Sequence, residues 1–289
     1  MERECERRRG DNELMTQEII TAELITQYLE TRDDFDLERF AYRTLREHGW
    51  SARLGGTYTD PIQSKLRQYD IRARKEIYKH CDVRLAVECK SLTPEFPLVV
   101  SRVPRPGPES YHDIIKSWRR KGLDDLVFSI EQSDPTRLSL YGFSEPVGKS
   151  LTQIRWDGKR FVTSDNESFD KWSQALASAA ELVAAAAQES APDETPIFTF
   201  VMPVLVVSNS TLWVVDYTDD DVRGVPTQVD EAHYFADREL VVKGRYAPQT
   251  YHMRHLHVYT RNGFARMLKN YNSPTGTMGD RTFAFVLGE

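Results

Sequence analysis

A mixed α/β fold is the class this 289-residue sequence predicts, and three observations predict it. Hydrophobic residues make up 40% of the chain and charged residues 28%, which supplies a sizeable core and argues against wholesale disorder. Stretches of helical and strand periodicity alternate in the order helix, strands, long insertion, helix, strands. The longest apolar run, Ile197–Val207, is broken by Thr199 and Pro203. It falls short of the roughly 18 residues a spanning helix needs, so no membrane partner is expected.

The elements follow in order. Residues 1–14 (MERECERRRGDNEL) are densely charged and carry no apolar stretch, which predicts a disordered arm and no signal peptide. Residues 15–289 then read as one elaborated domain. Apolar residues at helical spacing predict helices over 15–30 and 34–48, with Gly49 as the stop. Beta-prone stretches follow at Trp50–Tyr58, Tyr69–Ile77, Val83–Leu92 and Leu98–Val103, separated by turn signals. After RPGP at 105–108, Glu109–Lys121 has the pattern of an amphipathic helix. Residues 122–168 mix short strands and polar turns without a clear order. The Ala-rich stretch Phe169–Gln188 predicts a strong helix. Ile197–Val207 and Leu212–Tyr217, joined by Ser208–Thr211, read as a tight hairpin of buried strands. A strand near Leu256–Thr260 and a short helix close the chain.

Charge and cysteines bound the environment. Cys5, Cys81 and Cys89 show no paired spacing, which excludes a disulfide scaffold or CxxC zinc site and points to a reducing, cytoplasmic setting. The formal net charge is −6, yet Ile62–Lys121 holds 14 Lys and Arg against 7 Asp and Glu. Such a basic middle can hold a polyanion, because local potential governs contact. Oppositely charged faces pairing within the fold explain it equally well.

The chemistry concentrates in two adjacent strands. Alternation puts Leu85, Val87 and Cys89 on one face of Val83–Leu92, and Arg84, Ala86, Glu88 and Lys90 on the other. In Tyr69–Ile77, Asp70, Arg72, Arg74 and Glu76 form the polar face. A hairpin centred near Lys79 places Asp70 opposite Glu88, and one centred at His80 places it opposite Lys90. Two carboxylates and a lysine on one face suit metal-assisted phosphodiester hydrolysis: Mg²⁺ needs only one or two protein carboxylates beside substrate phosphate. An exposed cross-strand ion pair is the plainer reading of the same three residues.

The stretch YTDPIQSKLRQYD followed by LAVECK resembles the PD-(D/E)XK nuclease superfamily over residues 34–92, with Asp70 preceded by Tyr69 where the family has proline. The resemblance implies a restriction-endonuclease-like core: a central mixed sheet flanked by helices, with an insertion over about 93–168 and completing elements over 169–289. It implies an active site of Glu38, Asp70, Glu88 and Lys90. Asp70, Glu88 and the Cys89 carbonyl would hold Mg²⁺ or Mn²⁺. The expected activity is a metal-dependent endodeoxyribonuclease, in restriction or host defence, activated through a protein partner or self-association. RNA as substrate, or an inactive module binding nucleic acid or protein, are the alternatives.

For nucleic-acid contact the sequence offers Arg67, Arg72, Arg102, Arg105, Lys116, Arg119 and Lys149, cations interleaved with Tyr111 and Trp118. The glycines of GFSEPVGKS lie one residue too far apart for a phosphate-binding loop. His252, His255 and His257 lack an acidic or Cys partner at a zinc spacing.

Overall fold

The computed structural model describes residues 20–32, 34–60, 64–120, 125–133, 139–163, 165–191, 195–220, 222–272 and 277–287. The expected disordered arm and the start of the first expected helix, 15–19, lie outside them. The chain divides into two compact units, 1–33 and 34–289. In the first, helix α1 (Ala22–Arg32) opens on Thr21, whose hydroxyl accepts from Leu24 N at 3.3 Å.

The second unit begins with α2 (Asp34–Glu47), which buries Leu37, Ala41, Thr44 and Leu45 along one stripe. Asp34 and Asp36 sit in its first turn and Arg46 in its last, favourable ends for the helix dipole. Gly49, at φ +76°, takes the left-handed conformation that stops it. Three antiparallel strands follow: β1 (Ser51–Thr59), β2 (Leu66–Tyr78) and β3 (Cys81–Lys90). Next come β4 (Leu98–Pro104), β5 (Asp113–Arg120), β6 (Asp125–Gln132), β7 (Pro146–Trp156) and β8 (Phe161–Thr163). Helix α3 (Asp165–Ala186) then returns the chain to β9 (Ile197–Val207), which pairs parallel to β3. The remainder is β10 (Leu212–Asp216), β11 (Thr227–Gln228), β12 (Glu231–Val242), β13 (Gln249–Thr260), α4 (Arg261–Tyr271) and α5 (Thr277–Leu287).

All thirteen strands join one mixed sheet among the described residues, ordered β1-β2-β3-β9-β13-β12-β7-β4-β10-β11, with the β5–β6 hairpin leaning on β9 and β8 on β7. On one face, α2, α4 and α5 cover Ile71, Leu85, Val87, Met202 and Val204. On the other, α3 covers Ala86 and Val201 through Leu176, Ala179 and Val183. β3 and β9 are therefore buried on both faces, which is why they read as near-continuous apolar runs. The class is α/β, a large mixed sheet flanked by helices. Among the described residues no helix is long and apolar enough to cross a membrane.

Two elements differ from expectation. Glu109–Lys121 is not a helix: a short 3-10 turn (Gly107–Ser110) precedes strand β5, where adjacent Ile114 and Ile115 bury into the cores on opposite sheet faces. Alternation brings that about and helical spacing does not. Nor do β9 and β10 form a hairpin. Both edges of β9 are taken by the parallel partners β3 and β13, so β10 pairs with β4 and β11 instead. Lys149 lies mid-strand in β7 with no helix following, which removes a phosphate-loop geometry there. His255 and His257 are core residues packed on Tyr141, at 3.7 and 5.6 Å between ring centroids.

Candidate active site

The β2–β3 register pairs Ile71 with Val87 and Arg72 with Ala86, so its extension sets Asp70 opposite Glu88. Both carboxylates lie on the α3 face, at the end of β3 that meets the N-terminal half of that helix. Asp70 accepts from Cys89 N at 2.8 Å, which locks its carboxylate against the strand. Its second constraint comes from α3: Lys171 Nζ donates to Oδ2 at 2.9 Å and to Oδ1 at 3.2 Å. The same ammonium lies 3.6 Å from Glu88 Oε2.

Glu88 is the unusual member. Its side chain is 1% exposed, and neither oxygen has a hydrogen-bond partner. Burial, then the neighbouring charge of Asp70, push its carboxyl well above the usual range, and Lys171 only partly opposes them. A buried carboxylate with both oxygens unused is costly unless a cation completes it. For Lys171, burial works against the charge, but Asp70, Glu88 and more weakly Asp34 outweigh it and raise the ammonium above its ordinary value. Tyr58, buried nearby, is pushed up to about 12 by burial and by Glu88.

Lys90 stands at the end of β3, its Nζ 3.8 Å from Asp34 at the start of α2. Asp34 also accepts from Ser91 N at 2.5 Å, tying the helix to the strand end. Glu38, one turn further along α2, is close enough to Cys89 that its charge helps hold the thiol high, after burial and Asp70. The site therefore gathers Asp70, Glu88, Lys90 and Glu38 at one end of the sheet, as the sequence leads one to expect. It adds Lys171, Asp34 and Tyr58. Lys171 shares a helical stripe with buried Ala175 and Ser178, and a lone cation on that inward stripe was the signal available in the sequence.

As a metal site the donors are Asp70, Glu88 and the Cys89 carbonyl, all hard oxygens. Among the described residues no cluster of three His, Cys, Asp or Glu side chains stands ready to hold an ion. A cation here would rest on two carboxylates, a carbonyl and water, a set that Mg²⁺ accepts. Both unpartnered Glu88 oxygens fit that role.

The expected nucleic-acid contacts are dispersed. Arg67 pairs with Asp60 at 3.0 Å. Arg72 bonds Ser178 and Glu181 of α3, with its guanidinium 4.2 Å above the Tyr69 ring. Arg102 makes a two-pronged pair with Asp216, and Lys149 bonds Glu109. Lys116 packs over Phe198 on β5, whose far end carries exposed Arg119. Arg105 is a correction: its side chain is fully buried and presents no surface to a polymer. Searches against family models, curated proteins and solved structures return no match for this chain.

Proposed function

We propose that this chain is a divalent-metal-dependent nuclease that cleaves DNA, on a restriction-endonuclease-like core of the PD-(D/E)XK type, in restriction or host defence. The observation that carries the reading is the buried, unpartnered Glu88 carboxylate facing Asp70, with two lysines at the same sheet end. The order α2, β1–β3, α3 and a β9 parallel to β3 is the order that the resemblance implies.

Asp70 and Glu88, with the Cys89 carbonyl, would hold Mg²⁺ or Mn²⁺. Bound there, such an ion supplies Lewis acidity and a water of lowered pKa. Asp70 is pre-oriented for this by the Cys89 amide. Lys171, held protonated by its two carboxylates, serves as a fixed positive charge for a phosphate oxygen and not as a base. Lys90 supplies a second cation at the mouth, steadied by Asp34, and Glu38 flanks Cys89 from the other side of the sheet.

A second reading has its own observation. Lys171 already sits between the carboxylates, so the cluster compensates itself without metal, as an inactive binding module would require. Plasmid nicking separates the two. Supercoiled DNA with Mg²⁺ or Mn²⁺ should be nicked by the wild type. Nicking should vanish in EDTA and fall by about 100-fold or more in Glu88→Gln and Lys171→Met. A folded chain that binds neither ion and cuts neither DNA nor a competing RNA would favour the inactive module.

A further inference from the structure

Away from the carboxylate pair lies a cavity of about 500 Å³, lined by Arg102, Glu145, Glu231, His233, Asn270 and Arg281 among others. Its size is that of a small-molecule pocket. Arg105 packs behind that wall. Its Nη1 donates to the Gly142 carbonyl at 3.1 Å and lies 3.6 Å from Glu145, itself half exposed. Its guanidinium stands 5.3 Å from the Tyr141 ring, and the His233 ring stands 5.5 Å from the same ring.

The guanidinium's other edge is unused. Nε and Nη2 are both buried and neither has a hydrogen-bond partner. These two N–H groups form the planar fork that Arg102, one turn of the strand away, spends on both oxygens of Asp216. A guanidinium keeps its charge in any protein environment, so an idle, fully buried fork is a standing cost. Nearby groups do not offset it. His233 is held neutral, down at about 3, by burial and by Arg105 and Arg102, and His112 at about 4 by burial. His255 and His257 lie well below their ordinary value for the same reason. The surroundings are uncharged imidazoles and phenols, with one mobile-ended carboxylate, Glu145, at the rim.

We propose that this cavity binds a small oxyanion-bearing molecule, whose phosphate or carboxylate group docks on the Nε–Nη2 fork of Arg105 while its remainder fills the cavity toward Arg281. Glu145, held by the Gly142 amide at 3.1 Å, swings away from Nη1 to admit it. The inference stands independently of the nuclease reading, since it uses none of that site's residues.

The test is calorimetric titration of the full chain in EDTA with inorganic phosphate, a nucleoside monophosphate and succinate, alongside thermal melts. The wild type should bind at least one probe with one-to-one stoichiometry and melt higher in its presence. The phosphate and succinate arms identify which oxyanion the fork takes. Arg105→Lys keeps the charge but loses the fork, and should weaken binding at least about tenfold. Arg105→Met should abolish binding and, without ligand, melt no lower than the wild type. Arg281→Ala, at an exposed position, should weaken the nucleoside monophosphate and leave inorganic phosphate unchanged. No binding by the wild type up to about 10 mM of every probe overturns the proposal, that range covering weak complexes. Binding that survives in Arg105→Lys at full strength overturns it as well.

Discussion

Glu88 and Lys171 set the energetics of the candidate site residue by residue. Because Glu88 has its folded-state pKa raised above the unfolded value, the folded chain holds its proton more tightly. Stability from this group is present at low pH and is lost as pH rises from about 4.5 through the higher folded value. Glu88→Gln should therefore stabilise the metal-free chain at neutral pH, by about 1–3 kcal/mol, the ordinary cost of an unpaired buried polar group. The gain should disappear below about pH 4.5, and urea melts at pH 4 and pH 7.5 would show it. In the wild type, protons and metal compete for Glu88, so apparent Mg²⁺ affinity should climb with pH over the same window. Lys171→Met tests the other partner. Removing the only ammonium within 4 Å of both carboxylates should cost about 3–5 kcal/mol without metal. Mg²⁺ should then raise the melting temperature of Lys171→Met by more than it raises that of the wild type. Equal shifts would mean that the ion does not enter between Asp70 and Glu88.

Elements carried their signals unequally. Strands β2 and β3 were legible because polar and apolar residues alternate on β2, and a hairpin turning near Lys79 fixes the register that Ile71 and Val87 display. That register is what brings Asp70 to Glu88, so this half of the site could be read from the chain. Lys171 could not be read in the same way, since its helix is set by a run of alanines that says little about which face turns inward. β5 misled because Ile114, Ile115 and Trp118 fit a helical stripe as well as a strand buried on both faces. The β9–β10 turn misled because local turn chemistry carries no information on which strands flank β9. Helix α4 shows the opposite case, a start enforced by close contact. Thr260 caps it by accepting from Gly263 N at 3.1 Å, and its own amide and hydroxyl bond Asp230. A Cβ at Gly263 would stand 2.0 Å from the Asp230 carbonyl oxygen, which Thr260 N already holds. Gly263→Ala should cost about 1–3 kcal/mol in a urea melt, an overpacking loss. A cost near zero would show that Asp230 yields freely.

Over the whole molecule, charge and topology act together. The basic middle of the chain is largely answered by acids from outside it: Asp60 for Arg67, Glu181 for Arg72, Glu189 for Arg74 and Arg84, and Asp216 for Arg102. Much of the positive potential that the sequence suggests is thus spent on holding strands to α3 and to β10. Topology binds the same regions together. The core cluster beneath α2 contains Leu37 and Phe283, residues from the two ends of the 34–289 unit. The insertion contributes Ile114 to that cluster, and through β5 pairs directly with β9 at the centre of the sheet. A segment so interleaved has no separate core on which to fold. Residues 34–289 should accordingly unfold in one transition, with coincident loss of near-UV and far-UV circular dichroism. Hydrogen exchange supplies the sharper version. Amides in β3 and β13, which flank β9, should exchange with the same free energy as global unfolding, while the exposed edge strand β8 exchanges faster. If β4–β8 lost protection together at a lower denaturant concentration than β3 and β9, the insertion would be an independent folding unit. The sheet order would then describe contact between domains and not a shared core.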